Sequence, residues 1–153
     1  MPDLTPDELA ALAHWATHGR PGTPPVEQYI PDADELARVQ LMVAPATAAW
    51  ADRFDLAQTA ALLRGFPRGE MEDKWIVFAD DPAPSGSTAV HFVRSWTGAE
   101  IIRIDLQLTD KGSHTTLASW ETDAERIKNP TEEFARTTFV EACRWVLRFE
   151  VAG

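Results

Sequence analysis

Glu70, Glu72, Asp73 and Lys74 stand directly before the apolar run Trp75 to Phe78, and Arg94, Ser95, Trp96 and Thr97 close the run that begins at Val90. A guanidinium beside an indole can grip a phosphate or a carboxylate while the ring stacks on a base or sugar. A neighbouring carboxylate can serve as a base or a metal ligand. The same residue types also make purely structural pairs. An acidic strand start can pair with Arg68 or Arg94, and an Arg–Trp stack with an ion pair to Asp105 or Glu72 can hold a sheet surface together. Phe92, Arg94 and Trp96 alternate along one strand and are expected on one face, with Arg103 and Asp105 on the adjoining face of the next strand. The candidate ligand- or partner-binding set is therefore Glu72, Asp73, Lys74, Trp75, Arg94, Trp96 and Thr97. The spacing assigns no catalytic residue, because a carboxylate without a partner at known distance is neither acid nor base.

Other reactive side chains carry weaker signals. His14 and His18 are one helical turn apart, but Trp15 occupies the place where a zincin helix carries Glu, so they read as a surface pair near a helix end. His91 and His114 have no recognisable nucleophile beside them. Cys143 falls on the apolar face of a helix and reads as a core thiol. No glycine-rich phosphate loop, nucleophile elbow or zinc-ligand set is present. Neither a metal nor a cofactor is expected.

The elements that must position these residues follow from periodicity. Thr5-Pro6-Asp7-Glu8 opens a helix with a capping box, and Gly19 closes it. A second helix is expected from Asp32, with Leu36, Val39 and Val43 inward and Pro45 as its limit. Residues 46–54 are ambiguous between an extended segment and a turn. Asp55 to Gln58 caps a short helix that ends at Gly65 and Pro67. Four strands follow, Trp75 to Phe78, Val90 to Trp96, Glu100 to Leu108 and Thr115 to Glu121, joined by short polar connectors that favour hairpins. Asn129-Pro130-Thr131-Glu132 opens the last helix, with Ala135, Thr138, Phe139, Ala142, Val146 and Phe149 as its buried stripe and Trp145 at the margin. The predicted fold is a single α+β domain over residues 1–153: a helical N-terminal part at 1–54, then an antiparallel meander of four or five strands covered on one face by helices.

The 153 residues suffice for one domain with its own core. A hydrophobic fraction of 44% with 25% charged residues is ordinary for a globular chain. The net charge of −10 disfavours binding to a nucleic-acid backbone and suits a basic protein partner. One cysteine forbids an internal disulfide. The acidic N-terminus lacks the pattern of a signal peptide and no apolar run reaches membrane-spanning length, so the expectation is a cytoplasmic protein without membrane contact.

The segment Gly69 to Trp75, followed by Phe92-Val93-Arg94-Ser95-Trp96-Thr97-Gly98 and an Ile-rich strand, resembles a group of small uncharacterised bacterial proteins with a MEDKW…RSWTG signature. The resemblance covers residues 55–150 and implies that Glu72, Asp73, Lys74, Trp75, Arg94, Ser95, Trp96 and Thr97 belong together. Glu70 departs from that pattern, which puts the loop geometry before Met71 in question. Two functional readings follow. One is a non-catalytic binding or interaction protein, an accessory or immunity-like partner in a defence or toxin system. The other is a small enzyme or sensor for a nucleotide or other phosphorylated metabolite, with Arg94 and Lys74 on the phosphate, Trp75 or Trp96 stacking, and Glu72 or Asp73 as base or metal ligand.

Overall fold

Short polar connectors fold the centre of the chain back on itself strand by strand, as its alternation predicts. The computed structural model describes residues 33–66, 74–80, 85–109, 111–128 and 130–151. Within them lie β1 (Pro45–Ala48), β2 (Arg53–Phe54), β3 (Trp75–Ala79), β4 (Ser87–Arg94), β5 (Glu100–Thr109) and β6 (Gly112–Glu121). All pair antiparallel in one sheet of order β1-β6-β5-β4-β3, with β2 also on β6. β3 to β6 are the expected meander, so the fold is α+β. Residues 45–54 resolve the ambiguity of the sequence: they run along β6 as its outer edge, pairing Ala46 with Trp120 and Phe54 with Ser113. The sheet thus recruits part of the chain expected to be helical.

The helices are α1 (Ala33–Arg38), α2 (Leu56–Arg64) and α3 (Glu132–Ala142). Asp55 caps α2 by accepting the Gln58 N–H at 2.8 Å, and Gln58 returns the bond to the Asp55 N–H at 3.0 Å, which completes the capping box. Thr131 caps α3 by accepting the Phe134 N–H at 3.1 Å. Leu62 and Leu63 of α2 and Ala135 and Phe139 of α3 bury against Val77, Phe92, Ile102, Ile104 and Leu106 on one face of the sheet. Phe139 is the hub, its ring 5.6 Å from Phe92, 5.8 Å from Trp50 and 6.4 Å from Phe54. Each such side chain contributes about 1.5–3 kcal/mol on burial.

α1 stops six residues after it starts, short of the expected limit at Pro45. Residues 39–44 form an irregular strap, and Leu36 and Val43 are exposed rather than inward. The cause is competition for backbone donors. The Gln40 N–H goes to Gly98 O at 2.7 Å, while Val43 and Ala44 donate to the Glu121 carboxylate at 2.8 and 3.0 Å. These donors cannot also close helical turns. The expected helix from Thr5, with His14 and His18, lies outside the described residues, as do Glu70, Glu72 and Asp73.

Candidate functional site

The hairpin of β3 and β4 sets Trp75 directly opposite Arg94, and the Ser95 N–H donates to Lys74 O at 3.0 Å. Residues paired in register share a face. The Arg94 guanidinium accordingly lies over the Trp75 ring, 4.5 Å from its centroid. This is the face that carries Phe92 and the helices, so Arg94 emerges where the core ends. A groove of about 450 Å³ opens there, between the start of β3 and the end of α3, walled by Lys74, Trp75, Arg94, Glu141 and Trp145.

The end of α3 shapes this groove. After Ala142 the helix widens into a π turn, Cys143–Leu147, which ends at Arg148 in a left-handed conformation, φ 67°. The widened turn keeps Cys143 and Leu147 buried and leaves Trp145, 64% exposed, on the rim. Val146, expected in the buried stripe, packs half-buried against the core, while Leu147, outside that stripe, is fully buried because the π turn shifts its phase.

Arg94 is half-buried, and burial lowers its pKa from the ordinary guanidinium value. Among the described residues no carboxylate forms an ion pair with it or with Lys74. A desolvated guanidinium packed on an indole, next to a second cation, suits a carboxylate or phosphate brought by another molecule.

Trp96 and Thr97 do not join this groove. β4 ends at Arg94 and the chain turns through Ser95–Thr97, so the alternation that would align Trp96 with Arg94 is broken. Trp96, 71% exposed, lines a separate cleft of about 440 Å³ with Ile76, Val93 and the end of α1. Thr97 accepts the Ala99 N–H at 3.2 Å and so helps to shape the turn. Arg103 and Asp105 stand opposite His91 and Ala89 in the register, on the sheet face away from Arg94.

That other face holds a cluster the spacing did not reveal. His91 is 7% exposed and stacks on Phe78, ring centroids 4.8 Å apart. Its Nε2 meets Asp80 Oδ1 at 2.9 Å, and its Nδ1 is hydrogen-bonded to Glu100 Oε2. The other Glu100 oxygen accepts the Met42 N–H at 3.3 Å. Burial opposes charge on His91, but hydrogen bonds and attraction from Asp80 and Glu100 outweigh it and raise the pKa to about 9. Desolvation raises Asp105, against attraction from Arg103 and His91. Both ring nitrogens of His91 are engaged by carboxylates, so neither is free to take a proton from a ligand. The signal available in the sequence was a histidine inside Ala89-Val90-His91-Phe92-Val93: a polar ring in a buried strand requires partners.

Glu121 is a companion to Glu100. It is fully buried, yet its carboxylate accepts four backbone N–H groups, from Val43, Ala44, Thr122 and Asp123, at 2.8–3.2 Å. Burial pushes its pKa up, but these donors outweigh that and hold it below the ordinary carboxylate value. Cys143 is fully buried with its thiol pKa pushed up by desolvation, which opposes formation of a nucleophilic thiolate. Among the described residues no group of three His, Cys, Asp or Glu side chains is placed to hold a metal ion, and no helix is long and apolar enough to cross a membrane. No protein-family model matches the chain, and no curated protein or solved structure matches it either.

Proposed function

We propose that the chain is a binding protein, and that the groove between the start of β3 and the end of α3 is its working surface. The observation that carries this reading is Arg94: half-buried, stacked on Trp75, and without a carboxylate partner among the described residues. Leaving a desolvated cation unpaired is costly, and a partner's anionic group would offset that cost. Trp145 at the rim supplies the large, rigid contact typical of an interface anchor. The net charge of −10 would speed encounter with a basic protein, whose carboxylate side chain or C-terminus would then seat against Arg94 and Lys74. Such a chain would serve as an accessory or immunity-like partner, as the MEDKW…RSWTG resemblance leaves open, and would need no catalytic group of its own.

A second reading has one specific observation in its favour. A groove of about 450 Å³ with two cations, two indoles and one carboxylate, Glu141, is large enough for a small phosphorylated ligand. Affinity co-purification from the native host, followed by binding measurements on the identified protein, separates the two. The interaction reading expects a stoichiometric partner whose affinity falls at least tenfold with Arg94→Ala and with Trp145→Ala. A partner bound equally well by both variants overturns the assignment of the groove. Binding of a nucleoside monophosphate that depends on Arg94, with no protein partner, selects the second reading.

A further inference from the structure

A different cavity, at the opposite end of the sheet, gathers basic side chains that form no ion pair among the described residues. It encloses about 730 Å³ where the β5–β6 hairpin meets the junction of β2 and α2, and Arg53, Lys111 and His114 all line it. Arg53 and His114 are register partners across β2 and β6, so they share a face. Lys111 sits in the hairpin turn beside them.

The chain is poor in cations, with 14 Lys and Arg against 24 Asp and Glu. Arg103, Arg126, Arg136 and Arg144 form ion pairs with carboxylates. Arg53 and Lys111 pair with no carboxylate among the described residues. Asp55 lines the same cavity, but its carboxylate caps α2 by accepting the Gln58 N–H. Thr115 also lines the cavity, but it pairs with Leu106 and so lies on the core face of β6, opposite to the face of Arg53 and His114.

The walls of the cavity are fixed by close contacts. Gly112 has φ +139°, and a Cβ there would lie 2.0 Å from Phe54 O. Only glycine lets the hairpin approach the β2–α2 junction this closely. The Thr59 and Ser113 hydroxyls bond at 2.8 Å in the interior, and the Thr115 N–H donates to Asp52 O at 2.9 Å. The cations are therefore presented on a fixed frame, which reduces the ordering cost of a ligand.

We propose that this cavity binds the phosphoryl group of a small molecule. Arg53 supplies a planar pair of donors, Lys111 a point charge and His114 a ring donor, a set that matches a tetrahedral oxyanion. Its volume is within the range of about 300–1,000 Å³ usual for small-ligand sites, larger than a bare phosphate requires.

The test is a titration of the full, ¹⁵N-labelled chain with inorganic phosphate, pyrophosphate and adenosine 5′-monophosphate, with adenosine as the uncharged control. Saturable amide shifts centred on Arg53, Lys111 and His114 are expected from the phosphate-bearing probes and not from adenosine. Arg53→Gln with Lys111→Gln should weaken that binding by about tenfold or more. Both side chains are exposed, so the melting temperature of this double variant should stay near that of the parent. An Arg94→Gln variant should keep the binding, which separates this cavity from the groove beside α3. No saturable binding at millimolar probe, binding unchanged in the double variant, or shifts centred on Lys74 and Arg94 would each overturn the proposal.

Discussion

Arg94 and His91 belong to the same strand and are treated in opposite ways. His91 lies beneath the surface with a carboxylate on each ring nitrogen, and one of those carboxylates also holds the Met42 N–H. Arg94, on the other face, has an indole beneath it and forms no ion pair with a carboxylate among the described residues. Both regions combine cations, aromatic rings and acids. What separates them is how far the hydrogen-bonding and charge demands are met inside the chain. A saturated cluster fixes structure, whereas an unsaturated one keeps part of its interaction energy for a partner.

The largest effect should come from opening the saturated side. Glu100→Ala leaves His91 with one carboxylate and the Met42 N–H without an acceptor. A loss of about 3–5 kcal/mol is expected in urea denaturation, since one partner of a buried pair is removed. A loss below about 1 kcal/mol would mean that the cluster does not hold the fold.

Next comes pH. The folded-state pKa of His91, about 9, lies above its ordinary value of about 6.5. The resulting stabilisation is complete below about pH 6.5 and is lost as pH rises through about 9, a change of about 3 kcal/mol. Melting temperatures from pH 6 to 10 should fall across that window and do so much less in His91→Gln. An identical pH profile in the variant would remove His91 as the cause. Glu121 acts with the opposite sign: its pKa is depressed, so its contribution is present above the ordinary carboxylate range and lost as pH falls.

On the unsaturated side the expectations invert. Arg94→Ala should cost about 1 kcal/mol or less of stability, the scale of a partly exposed cation–π contact, while removing partner binding. A loss of several kcal/mol would show that Arg94 is held by an internal acid and belongs with the structural cluster. Trp145→Ala should change stability by less than about 0.5 kcal/mol, because the ring is mostly in water, and should still weaken the interaction. Equal binding by parent and variant would remove Trp145 from the interface.

The difference between the two sides also explains what the sequence disclosed. The β3–β4 hairpin, and with it the opposition of Trp75 and Arg94, follows from alternation and a short connector, both local properties. The cap of α2 is local as well. The strap at residues 39–44 is not: its apolar residues have helical spacing, but its N–H groups are claimed by Glu100 and Glu121, 58 and 78 residues further along the chain. β1 and β2 are only four and two residues long and exist because β6 offers them a pairing edge. Strand parity groups Trp96 with Arg94, and the turn that follows Arg94 cancels that parity. The pairing open to Arg94 with the acidic strand start, Glu72 and Asp73, falls on residues outside those described.

Glu100 and Glu121 grip the strap by its main chain, and that has an evolutionary consequence. Amide donors are the same for every residue except proline, so the grip does not depend on which side chains the strap carries. Leu41 and Val43 point into solvent, 64% and 62% exposed. Positions 41 and 43 are thus released from the selection that the core imposes and can diversify while the scaffold stays constant. A short recognition sequence could be exchanged there while both carboxylates keep their hold on the main chain.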